Sequence, residues 1–103
     1  MANKKKKENK FQADLIDELE ERFEGSLVFK MDPRQYGGIP DLLILYEDKW
    51  ASLECKREDG SSRRPRQPYY VNKMNEMSFS RFVSPENKEE VLNELQSTFQ
   101  PER

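Results

Sequence analysis

Residues 38–58 read GIPDLLILYEDKWASLECKRE. A loop closes in Pro40-Asp41, and the apolar run 42–46 follows. Glu47, Asp48 and Lys49 then interrupt it, and a second, alternating run carries Glu54 and Lys56 on either side of Cys55. An unbroken apolar run of this length predicts a central strand buried on both faces. The alternation in 50–56 puts Trp50, Ser52, Glu54 and Lys56 on one strand face and Ala51, Leu53 and Cys55 on the other. The short polar connection makes the two strands an antiparallel hairpin. The 12 residues between Asp41 and Glu54 are what two short strands and a tight turn need. Asp41, Glu54 and Lys56 are therefore expected to converge at one edge of a sheet.

Working outward, Phe11, Leu15, Leu19 and Phe23 recur every fourth residue, with Ile16 widening the stripe, and predict an amphipathic helix that Gly25 ends. Before it, residues 1–9 read as a flexible basic arm containing Lys4, Lys5, Lys6 and Lys7, and residues 10–100 as one domain. SLVFKM (26–31) predicts a strand, and DPRQYGG (32–38) a loop. The segment 57–66, REDGSSRRPR, is polar and irregular. A helix follows from Gln67-Pro68, where proline suits the first turn. SFSRFV (78–83) predicts a further strand. Ser84, Pro85 and Glu86 have the order of a helix start, and Val91, Leu92, Leu95 and Phe99 mark its buried stripe. The order α-β-β-β-α-β-α predicts an α/β fold, a mixed sheet with helices against it.

Composition narrows the function. The 103 residues suffice for one modest core; 37% are charged and 34% hydrophobic, so the core is compact or shared with a second subunit. A net charge of -2 argues against coating nucleic acid by bulk charge, though not against a local basic patch. A single cysteine excludes an intrachain disulfide and fits a reducing cytoplasm. No apolar run reaches the roughly 18 residues of a membrane span, so no membrane partner is expected, and MANKKKKENK lacks the apolar segment of a signal peptide. With no histidine in the chain, imidazole catalysis and histidine-ligated zinc are excluded. A metal would be held by carboxylates and carbonyls, the ligand set of Mg²⁺ or Mn²⁺.

Two adjacent carboxylates repel unless a positive charge lies between them. A divalent cation supplies it and acidifies water, while a neighbouring lysine orients that water or stabilises charge on a phosphodiester. Asp41, Glu54 and Lys56 thus form a plausible metal-dependent phosphodiesterase set, with the Cys55 carbonyl as a further oxygen donor. The plainer readings are a turn cap for Asp41 and a surface ion pair of about 0–1 kcal/mol for Glu54 and Lys56. Cys55 itself reads as a small core residue.

The spacing P-D-(12 residues)-E-C-K resembles the motif of the PD-(D/E)XK nuclease superfamily. The wider frame, GIPDLLIL…WASLECKR…Q…YY…MSFSRFVSPENKEEVL, resembles small stand-alone VRR-NUC-type nucleases, particularly those of bacteriophages, from about Glu8 to Phe99. The resemblance implies a restriction-endonuclease-like αβββαβ core with a C-terminal helix appended, and Mg²⁺- or Mn²⁺-dependent cleavage of DNA. Asp41 and Glu54 would be the metal ligands, Lys56 the catalytic lysine, Gln67 a site glutamine, and Glu8 a further site residue with Gln12 as its competitor. It also implies homodimers acting on branched DNA such as Holliday junctions, in the host cytoplasm if the chain is phage-encoded. Arg57, Arg63, Arg64 and Arg66 follow the cluster directly and suit a phosphate backbone. Lys4–Lys7 either reach phosphates or only solubilise, and one of Tyr69 and Tyr70 is free to reach DNA; Tyr70 is the residue assigned. The competing reading is a nuclease fold that binds DNA or a protein, for example against a host system, without appreciable cleavage.

Overall fold

The computed structural model describes residues 3–32, 34, 37–56 and 67–100, with 3–8 and 67 described by backbone alone. The elements run α1 (Asn3–Arg22), β1 (Leu27–Lys30), β2 (Leu42–Tyr46), β3 (Lys49–Cys55), α2 (Gln67–Met77), β4 (Ser80–Val83) and α3 (Lys88–Phe99). The class is α/β; among the described residues there are three helices and a mixed four-stranded sheet ordered β1-β2-β3-β4. The first three strands pair antiparallel, and β4 pairs parallel with β3. A parallel neighbour needs a crossover, and α2 supplies it.

Alternation along the strands divides the sheet into two faces. Leu42, Ile44 and Tyr46 of β2 join Ala51, Leu53 and Cys55 of β3 on one of them. There they meet Leu15, Leu19 and Phe23 of α1 and Val91, Leu92, Leu95 and Phe99 of α3 in the core. Phe23, Tyr46 and Phe99 close one end of it, with ring centroids 5.2–5.7 Å apart, within the favoured range for aromatic pairs. Lys88 Nζ lies 2.8 Å from Glu18 Oε1 and ties α3 to α1. Helix α2 lies on the opposite face, over β3 and β4. There Ser52 and Ser80 share a hydrogen bond of 2.8 Å across the two strands, beside Met74.

Two boundaries and one burial pattern differ from the sequence reading. Helical backbone begins at Asn3, eight residues before Phe11, where a flexible arm was expected. Lysine, glutamate and glutamine are good helix formers, but the lysine run carries no apolar period to announce a helix. Helix α3 begins at Lys88 and not at Ser84-Pro85. Asn87 holds 84–87 in a turn instead, its Oδ1 accepting the Ser84 N–H at 2.7 Å and its Nδ2 donating to the Phe82 carbonyl. The β2 run is not buried on both faces either. Leu43 and Leu45 are only half-buried, because α2 does not extend over β1 and β2. Among the described residues no helix is long and apolar enough to cross a membrane.

Candidate active site

The β2–β3 register fixes the centre of the site. Leu42 pairs with Leu53, so one further step sets Asp41 against Glu54. The N–H groups of Ser52 and Lys56 donate to Phe79 and Val83 on the β4 side, at 2.9 and 2.7 Å. Glu54, between them in the alternation, also turns its main chain to β4. Asp41 and Glu54 therefore occupy a non-hydrogen-bonded position of the β2–β3 ladder, the kind in which opposed side chains come closest. Lys56, two residues on, shares that face. Its Nζ lies 3.6 Å from Glu54 Oε2 and 5.7 Å from the centroid of the Phe82 ring. Phe82 is the β4 partner of Glu54, and so the ring roofs the pair from the neighbouring strand.

Cys55 divides its loyalties. Its thiol is buried in the core, while its N–H donates to Asp41 Oδ2 at 2.9 Å. Pro40 stands opposite it by the same register and has no N–H to contribute. The Asp41 carboxylate accepts the Cys55 N–H in place of a main-chain carbonyl and is held against β3. In an antiparallel strand the N–H and carbonyl of one residue face the same way, so the Cys55 carbonyl is turned toward Asp41. A strand-alternation argument could have found this bond; the sequence reading considered only the carbonyl.

Electrostatically the site is an unusual use of buried volume. Glu54 and Lys56 are each only 4% exposed. Burial pushes the Glu54 carboxyl up to about 7, and the negative charge of Asp41 adds to the effect. The Lys56 ammonium and the Asp41 N–H pull in the opposite direction without cancelling it. A buried pair of this kind is poor evidence for stability, since desolvation opposes the Coulombic gain. Perturbed groups of this sort cluster at functional sites.

The remaining predicted residues divide by what is described. Gln67 opens α2 and Glu8 lies within α1, but the side chains of both lie outside the described residues, as do those of Lys4–Lys7. Arg57, Arg63, Arg64 and Arg66 lie wholly outside them. Gln12 is half-buried on α1, the helix that packs on the face away from Glu54. Tyr70 is half-buried and Tyr69 exposed. Among the described residues no third histidine, cysteine, aspartate or glutamate joins Asp41 and Glu54 in a metal-holding group. Compared with protein-family models, with curated proteins and with solved structures, the chain gives no match.

Proposed function

We propose that the chain is a metal-dependent deoxyribonuclease of the PD-(D/E)XK type, with a restriction-endonuclease-like αβββαβ core, that hydrolyses phosphodiester bonds in branched DNA. The observation that carries this reading is the placement of Asp41 against the buried Glu54, with Lys56 beside it, in a chain that has no histidine. The element order α-β-β-β-α-β supports the same fold assignment. Two carboxylates and a main-chain carbonyl are hard oxygen donors. Mg²⁺ commonly takes one or two protein carboxylates and keeps its other positions for water and substrate phosphate. Asp41, Glu54 and the Cys55 carbonyl therefore fit Mg²⁺ or Mn²⁺. Such a cation, when bound, acidifies water and offsets charge on the scissile phosphate. Asp41 is held in place by the Cys55 N–H, which keeps its carboxylate oriented before substrate arrives. Lys56 positions the attacking water and stabilises the charge growing on the phosphate oxygens. Gln67 and Glu8 complete the site as the resemblance implies. Arg57, Arg63, Arg64, Arg66, Lys4–Lys7 and Tyr70 hold the DNA, mainly through its phosphates. A chain this small has little surface for reading bases, which favours recognition of shape.

The test is incubation of a labelled four-way junction and a linear duplex with Mg²⁺, Mn²⁺ or EDTA. The junction should be cut with either metal, faster than the duplex, and not in EDTA. Tight binding with no cleavage under any metal condition would overturn the proposal in favour of a binding module.

A further inference from the structure

Packing does not account for Phe82. It lies on β4, yet it belongs neither to the buried core nor to the partly buried side chains packed against it. It is half-buried. Parallel pairing of Glu54 with Phe82 puts both side chains on one face of the sheet, as it does for Ser52 and Ser80 two residues earlier. That face also carries Lys56. The Phe82 backbone is fixed from both sides. The carbonyls of Phe79 and Val83 accept from β3, so by alternation the Phe82 carbonyl points the other way, where Asn87 Nδ2 donates to it at 3.1 Å. The strand that presents the ring is thus pinned at the ring's own residue.

Lysine ordinarily buries its stem and leaves the ammonium in water. The Lys56 side chain is only 5% exposed. Its ammonium meets Glu54 Oε2 at 3.6 Å and lies over the Phe82 ring, 5.7 Å from the centroid. That distance is inside the roughly 6 Å reach of a cation–π contact, which strengthens when water is excluded. The two contacts act differently. Glu54 lies on the same strand and fixes a distance, but a flexible four-carbon stem can still swing about the carboxylate. A contact from the neighbouring strand fixes the direction as well. The ring has no lone pair, so it does not compete with water or a phosphate oxygen for the ammonium's N–H donors as a further carboxylate would.

We infer that Phe82 is a positioning residue: from β4 its ring holds the Lys56 ammonium in the direction in which it acts beside Asp41 and Glu54. The effect on rate rests on the nuclease reading of that pair; the contact itself is measured without cleavage.

Phe82→Leu keeps a large apolar side chain and removes the aromatic face, whereas Phe82→Tyr keeps the face. Single-turnover cleavage of the labelled four-way junction under saturating Mn²⁺ should be about tenfold slower in Phe82→Leu and within about twofold of the unaltered rate in Phe82→Tyr. The protein concentration giving half the maximal rate should move by less than about twofold in either. In a Lys56→Ala background, Phe82→Leu should change the rate by less than about twofold, because its effect passes through the ammonium. Proton NMR supplies the readout that needs no cleavage. The Lys56 Cε protons should resonate upfield of an ordinary lysine through the ring current, return to the ordinary position in Phe82→Leu and stay shifted in Phe82→Tyr. The shift in the unaltered chain keeps the test decisive if Phe82→Leu folds poorly. Unshifted Lys56 protons in the unaltered chain overturn the inference, as does a Phe82→Leu rate equal to the unaltered one, or an undiminished loss in the Lys56→Ala background. An unaltered chain that shows the shift but cuts nothing overturns the nuclease reading, and with it the effect on rate, while the holding of Lys56 by Phe82 stands.

Discussion

Glu54 is the most sensitive point of the molecule, and its stability effect can be worked out in advance. The carboxyl titrates near 4.5 when unperturbed and is pushed up to about 7 in the folded chain, first by burial and then by the Asp41 charge. Between those values the folded state holds a proton that the unfolded state has released. Stability is therefore fully present below about pH 4.5, falls as pH rises, and levels off above about pH 7. At about 1.4 kcal/mol per pH unit the full span is worth on the order of 3 kcal/mol, most of it between pH 5 and pH 8. Glu54 is 4% exposed, so solvent screening does little to reduce this. The window is otherwise quiet, because the chain has no histidine. Urea unfolding followed by Trp50 fluorescence at pH 5, 6, 7 and 8 measures the effect. The unaltered chain should lose about 2–3 kcal/mol across the series, whereas Glu54→Gln, which cannot ionise, should stay level within about 0.5 kcal/mol. Mn²⁺ should stabilise the unaltered chain more at pH 8 than at pH 5, because in the proposed site only the ionised carboxylate would bind the cation. Equal slopes in the two proteins would refute the reasoning, since the pH dependence would then come from elsewhere.

Other consequences are open to measurement. Lys56→Ala should lower the single-turnover rate of cleavage by about 10²–10³-fold, read with labelled junction DNA under saturating Mn²⁺. Glu47, at the β2–β3 turn, has a φ of 56°, which costs a non-glycine residue free energy; Glu47→Gly should raise unfolding stability by about 0.5–1 kcal/mol in denaturant melts. Replacing both Arg63 and Arg64 by alanine should weaken DNA binding for all sequences alike. The slope of log K against log salt should fall by about two, as measured by fluorescence anisotropy.

The centre of the site was legible because strand geometry is strict. Twelve residues between Asp41 and Glu54 leave room for one tight hairpin, and a period of two puts Lys56 on the face of Glu54. The apolar stripes of α1 and α3 were legible for the same kind of reason: Leu15, Leu19, Phe23, Leu92, Leu95 and Phe99 are all fully buried or nearly so. What escaped the sequence depended on tertiary placement. DLLILY has the composition of a strand covered on both sides, yet whether a helix lies above Leu43 and Leu45 depends on where α2 docks. The Ser52–Ser80 hydroxyl pair and the contact to Met74 place it over β3 and β4. Phe82 above Lys56 could not be anticipated without knowing that β4 pairs parallel with β3. The turn held by Asn87 displaced the start of α3 because a side-chain amide outcompeted the serine cap expected at Ser84.

In the proposed enzyme Asp41 and Glu54 hold one divalent cation between them. An anomalous difference map from crystals soaked in Mn²⁺ tests it most directly. A peak within about 2.0–2.4 Å of a carboxylate oxygen from each residue is expected, lost in Asp41→Ala crystals of the same fold. A Mn²⁺ peak elsewhere, or a peak that survives Asp41→Ala, would contradict it.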